Sequence, residues 1–326
     1  MKIRTGSRAI AVSAAFALPF TLAGCGLGAQ EESVDVTAGS IDAESLADVD
    51  LAVGSKDFDE QLVLGQITLL ALDAAGANVT DKTNIQGSTA TREALIGGDI
   101  DVYWDYTGTG WLVYLGHDKP IPDEQKQYEA VRKEDLEEND IVWGKPAPLN
   151  NTYAMAVTDE FAEESGVATL SDMAELASST PEDATICVES EFSARPDGLP
   201  GMLKAYGMED IPSGNIGKLG TGVVYTQLDK GETCNFGEVF TTDGRIATLG
   251  LTVLEDDKGF FPLYNAGPMV MADTDEENPE ILDTLEPIAE ALTTEEVTKL
   301  NAKVSSEGEK PSAVAEQFLK EKGFIE

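Results

Sequence analysis

Histidine is almost missing from this chain of 326 residues, which holds only His117. One ring cannot make a histidine-rich metal site, and a Ser-His-Asp or Cys-His apparatus would have to be built on it. It lies in Gly116-His117-Asp118-Lys119-Pro120, which reads as an exposed turn. Cysteine is nearly as scarce, with three residues, and this excludes a cysteine-rich metal cluster. Basic side chains are few: 22 Lys and Arg stand against 60 Asp and Glu, a formal net charge of −38. Such a balance excludes nucleic acid and anionic surfaces as partners, tolerates a zwitterion and attracts a cation. It suits work in high salt, where self-repulsion is screened, and equally suits plain solubility. Catalytic signatures are also lacking. Ser55 and Ser193 have no Gly-x-Ser-x-Gly context, and Asp99, Asp101 and Asp105 lack EF-hand spacing. Carboxylates are too abundant for any pair to stand out as a glycosidase dyad. No enzyme, cofactor or metal is expected.

What is present begins with an export leader. Lys2, Arg4 and Arg8 precede an uncharged, mostly apolar run over 9–23. That run is shorter than the roughly 20 residues needed to span a bilayer. It ends in Leu22-Ala23-Gly24-Cys25, which looks like the lipobox of bacterial lipoproteins. Residues 1–25 are therefore expected to be signal peptide and lipobox, with Cys25 lipidated and the chain anchored on the extracytoplasmic face of the cell membrane. The small, acidic stretch 26–50 has no helical or strand period and reads as a flexible tether. Cys187 and Cys234 remain. In an exported chain they are a disulfide candidate, two buried free thiols being the alternative.

A β/α rhythm starts at Leu51. The run 51–55 reads as a buried strand, 59–75 as a helix closed by Gly76, 89–96 as a helix stopped by Gly97-Gly98, and 100–104 as a strand. After a break at Pro146-Ala147-Pro148, strands are expected at 153–157, 184–188, 236–240 and 252–255, with helices at 170–177 and 222–228. A strand at 269–272 then leads into helices over 279–324. This alternation predicts mainly parallel sheet covered on both faces. With crossings near 150–152 and 265–268, it predicts lobe 1 over 51–150 and 267–326 and lobe 2 over 151–266. A cleft between the two is where a small ligand would bind.

Four stretches set aromatic rings beside a cation. They are Asp105-Tyr106-Thr107-Gly108-Thr109-Gly110-Trp111, Asn150-Asn151-Thr152-Tyr153, Arg195-Pro196-Asp197-Gly198, and Phe240-Thr241-Thr242-Asp243-Gly244-Arg245 with Phe260-Phe261-Pro262-Leu263-Tyr264-Asn265. A trimethylammonium group has no N–H to donate, so aromatic faces must hold it, at about 0.5–2 kcal/mol each. On spacing alone the same rings read as core and turn residues, and Arg195 and Lys56 as solvated charges.

Together with Gly54-Ser55-Lys56-Asp57-Phe58-Asp59-Glu60-Gln61 and Leu254-Glu255-Asp256-Asp257, and in this order, these segments resemble the glycine betaine/choline/carnitine-binding family, the substrate-binding proteins of osmoprotectant ABC importers. The resemblance runs from Leu51 to nearly the C-terminus. It implies an α/β, two-lobed type II periplasmic-binding-protein fold that closes on its ligand. It implies a cage for the trimethylammonium at Tyr106, Tyr153, Phe240 and Tyr264, and a carboxylate held by Arg195 with Lys56 and Thr109, the backbone near Asn151 also approaching the ligand. It further implies a quaternary ammonium ligand and ABC importer membrane subunits as partners. Phe240 departs from the family, which commonly has tyrosine there. Two rivals stand beside this reading: a binder of the same fold for another solute such as proline or a polyamine, and a surface hydrolase of choline-bearing substrates.

Overall fold

The computed structural model describes residues 36–326. The expected leader, Cys25 and the tether up to residue 35 lie outside the described residues. From Val36 onward the acidic segment is not a free tether. Leu46 is buried, its N–H donates to the Ala75 carbonyl (2.9 Å), and the N–H groups of Gly39 and Glu326 donate to the carbonyls of Phe324 and Thr37. The small apolar residues scattered among its acids, Ala38, Ile41 and Leu46, give it a packing face with no regular period.

Among the described residues the strands are, in chain order, β1 (Asp50–Lys56), β2 (Asn78–Ile85), β3 (Val102–Tyr106), β4 (Ile141–Trp143), β5 (Tyr153–Thr158), β6 (Ile186–Glu189), β7 (Ile216–Leu219), β8 (Phe236–Phe240), β9 (Leu251–Val253) and β10 (Ala266–Met271). They form two five-stranded sheets, β2-β1-β3-β10-β4 and β7-β6-β8-β5-β9. Helix α1 (Asp59–Ala74) buries Val63, Leu64, Ile67 and Leu72 in the core shared with β1. Helix α2 (Ser88–Ile96) follows β2. The three C-terminal helices, Glu280–Ala291, Thr294–Ser305 and Pro311–Glu321, pack on α1.

The expectation of mainly parallel sheet needs correcting, because both sheets are mixed. β1 runs parallel to β2 and β3, and β6 to β7 and β8. β10 is antiparallel to β3 and β4, and β5 to β8 and β9. The reason is connectivity. β5 and β10 are the first strands after each passage between the sheets, and neither enters its sheet through a βαβ crossover, which is what enforces parallel order.

Other elements escape sequence reading because they are polar. β2 is half exposed and carries Asp81, Lys82 and Asn84. The helix Glu124–Asn139 buries only Gln127, Val131 and Asp135, a stripe spaced by four. Cys187 in β6 and Cys234, two residues before β8, are joined by a disulfide with Cα atoms 5.7 Å apart. No described helix is long and apolar enough to cross a membrane.

Candidate ligand cleft

The ends of strands from both sheets face one cavity of about 210 Å³. β1 ends in Lys56, β3 in Tyr106 and β8 in Phe240, while β5 begins with Tyr153. Antiparallel pairing sets Tyr153 opposite Phe240, which brings two rings together on one face. All eight ligand residues expected from the sequence line this cavity: Lys56, Tyr106, Thr109, Asn151, Tyr153, Arg195, Phe240 and Tyr264. Phe58, Asp57, Glu189 and Glu191 line it too.

The aromatic residues form a closed circuit. Phe58 stacks on Phe240 (5.1 Å between centroids), Phe240 meets Tyr153 (5.3 Å), and Tyr153 meets Tyr264 edge to face (5.4 Å). Tyr264 then meets Tyr106 edge to face (6.5 Å), and Tyr106 returns to Phe58 (6.2 Å). Two of the hydroxyls are tied off to carboxylates. Tyr106 donates to Glu60 (2.7 Å) and Tyr264 to Asp197 (2.6 Å). Burial, together with these neighbouring carboxylates, holds both phenols well above their ordinary range, so they stay neutral donors. Gly108 lets the helical turn Thr107–Thr109 approach Tyr264, since a Cβ there would fall 2.6 Å from the Leu263 carbonyl and 2.8 Å from the Tyr264 ring.

Behind the rings lies Glu60, whose carboxylate is buried and accepts four side-chain bonds. Tyr106 and Asn151 reach Oε1 (2.7 and 2.9 Å), and Thr242 and Asn301 reach Oε2 (2.6 and 2.9 Å). Burial raises its pKa, against the pull of those donors. One side chain thus joins α1, β3, the passage before β5, the turn after β8 and the helix Thr294–Ser305.

The charged side chains form ion pairs and abut the rings, Lys56 Nζ lying 5.2 Å from the Tyr106 ring centre and the Arg195 guanidinium 5.6 and 6.0 Å from those of Tyr153 and Tyr264. Lys56 Nζ donates to Asp105 (2.6 Å), which also accepts the hydroxyls of Tyr103 and Tyr114 (2.8 and 2.6 Å). Arg195 forks onto Asp197 through Nε and Nη2 (2.8 and 2.5 Å) and donates through Nη1 to Glu191 (2.8 Å). Its Nη2 also lies 3.4 Å from Thr109 Oγ1. Both cations expected to hold a ligand carboxylate are therefore engaged by the protein's own acids. Further back, Glu238 is buried against the Glu189 N–H (2.9 Å), and burial pushes its carboxyl up to about 8.

Sequence reasoning missed Phe58, Glu60, Glu191 and Asp197. Phe58 and Glu60 follow the end of β1, as Lys56 does, and Asp197 is two residues from Arg195; those neighbourhoods were the available signals. Glu191 had none, since one glutamate among many carries no mark. His117, read as exposed, is half buried, stacked on Trp111 (3.4 Å between centroids) and paired with Glu134 (2.8 Å). It is outside the cavity. Among the described residues no group of His, Cys, Asp and Glu is placed to hold a metal ion.

Comparison with known proteins agrees with this architecture. Residues 49–321 match the family described as the substrate binding domain of ABC-type glycine betaine transport system. The chain is 37% identical over 281 residues to the glycine-betaine-binding protein of Pseudomonas aeruginosa, covering 85% of this chain and 89% of that protein. It is 32% identical over 279 residues to the glycine betaine-binding protein YehZ of Escherichia coli, covering 83% and 90%. A crystal structure titled as a glycine betaine/carnitine/choline ABC transporter superposes with a TM-score of 0.67 at 30% identity, over 84% of this chain and 99% of that one. This chain belongs to the family of substrate-binding domains of ABC-type glycine betaine transport systems.

Proposed function

We propose that the chain captures a quaternary ammonium osmoprotectant outside the cytoplasm and hands it to the membrane subunits of an ABC importer. The observation that carries this reading is the closed circuit of five rings, Phe58, Phe240, Tyr153, Tyr264 and Tyr106. Two of its phenols have their hydroxyls turned to carboxylates outside the circuit. Such a wall attracts a methylated cation through its ring faces. The cage positions are aromatic throughout, whereas an unmethylated amine or polyamine would need acceptors there for its N–H groups.

The two sheets act as lobes, 51–150 with 267–326 and 151–266, that close on the ligand. Only tighter binding to the closed form drives that closure. This role calls for capture and delivery of the ligand, with ATP used by other subunits of the importer. Lipidation at Cys25 keeps it at the membrane beside its importer. Calorimetric titration of the purified chain with glycine betaine, choline, carnitine and proline tests this. At least one quaternary amine binds and proline does not, and Tyr153→Ala weakens that binding by tenfold or more. Failure of every quaternary amine to bind overturns the assignment.

A further inference from the structure

Glu191 lines the cavity and already engages the arginine expected to hold a ligand carboxylate. Its Oε1 accepts from Arg195 Nη1 (2.8 Å). Its Oε2 accepts the N–H of Ser88 (3.0 Å), the first residue of α2. One carboxylate therefore spans the arginine of one wall and a helix N-terminus of the other, an arrangement suited to any anion. Burial disfavours its charge, but Lys56, Arg195 and the Ser88 hydrogen bonds outweigh that and bring Glu191 down to about 2, so it is ionised at neutral pH.

The three acids paired to the site's two cations are not equivalent. The side chains of Asp105 and Asp197 are 0% and 2% exposed, whereas that of Glu191 is 29% exposed and lines the cavity. Asp105 and Asp197 belong to the scaffold, and Glu191 is the exchangeable partner. Around it the cavity wall adds Asp57, held by the Gly87 N–H (3.3 Å), and Glu189. A zwitterion must evict Glu191 from both partners and place its own carboxylate near these acids. A cation with a neutral tail leaves every pair intact.

We propose that Glu191 is a built-in counter-anion that sets ligand selectivity, favouring trimethylammonium cations with an uncharged polar tail over trimethylammonium carboxylates. The inference rests on the aromatic circuit being the cation site. It is tested by titrating the full chain and its Glu191→Gln variant with tetramethylammonium, choline and glycine betaine. Wild type binds choline at least tenfold tighter than glycine betaine. Glu191→Gln, which removes the competing negative charge beside Arg195, moves that ratio at least tenfold toward glycine betaine. Asp57→Asn removes a cavity charge that is not paired with Arg195 and moves the ratio less than threefold. Wild-type preference for glycine betaine, or a Glu191→Gln change equal for both ligands, overturns the proposal while tetramethylammonium binding leaves the cage standing. The wild-type ratio decides the matter even if a variant does not fold. Absence of tetramethylammonium binding removes the cage and this proposal together.

Discussion

The two ends of the cleft solve opposite problems. At the aromatic end five rings contact one another in a circuit, and two of their hydroxyls are spent on Glu60 and Asp197, which fixes ring orientation before any ligand arrives. At the charged end Lys56 and Arg195 are already paired with Asp105, Asp197 and Glu191. A preorganised apolar wall loses little on binding, whereas an ionic wall already paired tends to exchange one partner for another. Ring-to-ring packing follows from the rings alone, while a cation's role depends on which acids the fold has already placed beside it.

The contrast breaks most severely at Glu60. Glu60→Ala strips the acceptor from Tyr106, Asn151, Thr242 and Asn301 at once. At about 1–3 kcal/mol for each buried group left unsatisfied, the loss in unfolding free energy is at least about 3 kcal/mol, read by denaturant titration. Ligand affinity falls with it, because Tyr106 loses its anchor.

A smaller effect separates the ends by pH. Glu238 lies behind the charged end with its carboxyl raised by burial to about 8, from an ordinary 4.5. The folded chain keeps this proton where the unfolded chain has released it. Its favourable contribution is therefore whole below about pH 4.5 and is lost as pH rises through 8. Relative to Glu238→Gln, wild type loses stability across that window, at up to about 1.4 kcal/mol per pH unit. Melting temperatures of both proteins from pH 5 to 9 measure the divergence; parallel curves contradict it.

The mildest change sharpens the comparison at the aromatic end. Phe240→Tyr adds a hydroxyl and keeps the ring face against Phe58 and Tyr153. Affinity for a quaternary amine changes by less than about threefold, by calorimetry, because the π face does the holding.

Much of this was legible in the chain. β8 at Phe236–Phe240 and helix α1 follow from apolar runs and helical spacing, and the turn glycines mark where elements stop. All eight expected ligand residues line one cavity, four of them at strand ends (Lys56, Tyr106, Tyr153 and Phe240) and the others in the adjoining loops and turns. What stayed hidden has a common physical cause. β2 and the helix Glu124–Asn139 are mostly solvated, so their composition imitates loop. The antiparallel sense of β5 and β10 depends on passages between sheets, which no local pattern encodes. Glu60 and Glu191 act through partners far along the chain, Asn301 and Ser88 among them. In so acidic a sequence a buried, bonded glutamate looks like any solvated one.

If ring faces hold a positive charge, choline and its neutral carbon isostere, 3,3-dimethylbutan-1-ol, differ in affinity when each is titrated to equilibrium into the purified chain. Shape and tail are matched, so only the charge differs. The circuit predicts that choline binds at least tenfold tighter, about 1.4 kcal/mol, the order expected of several cation–ring contacts. Equal affinities would contradict it and reduce the cleft to an apolar pocket.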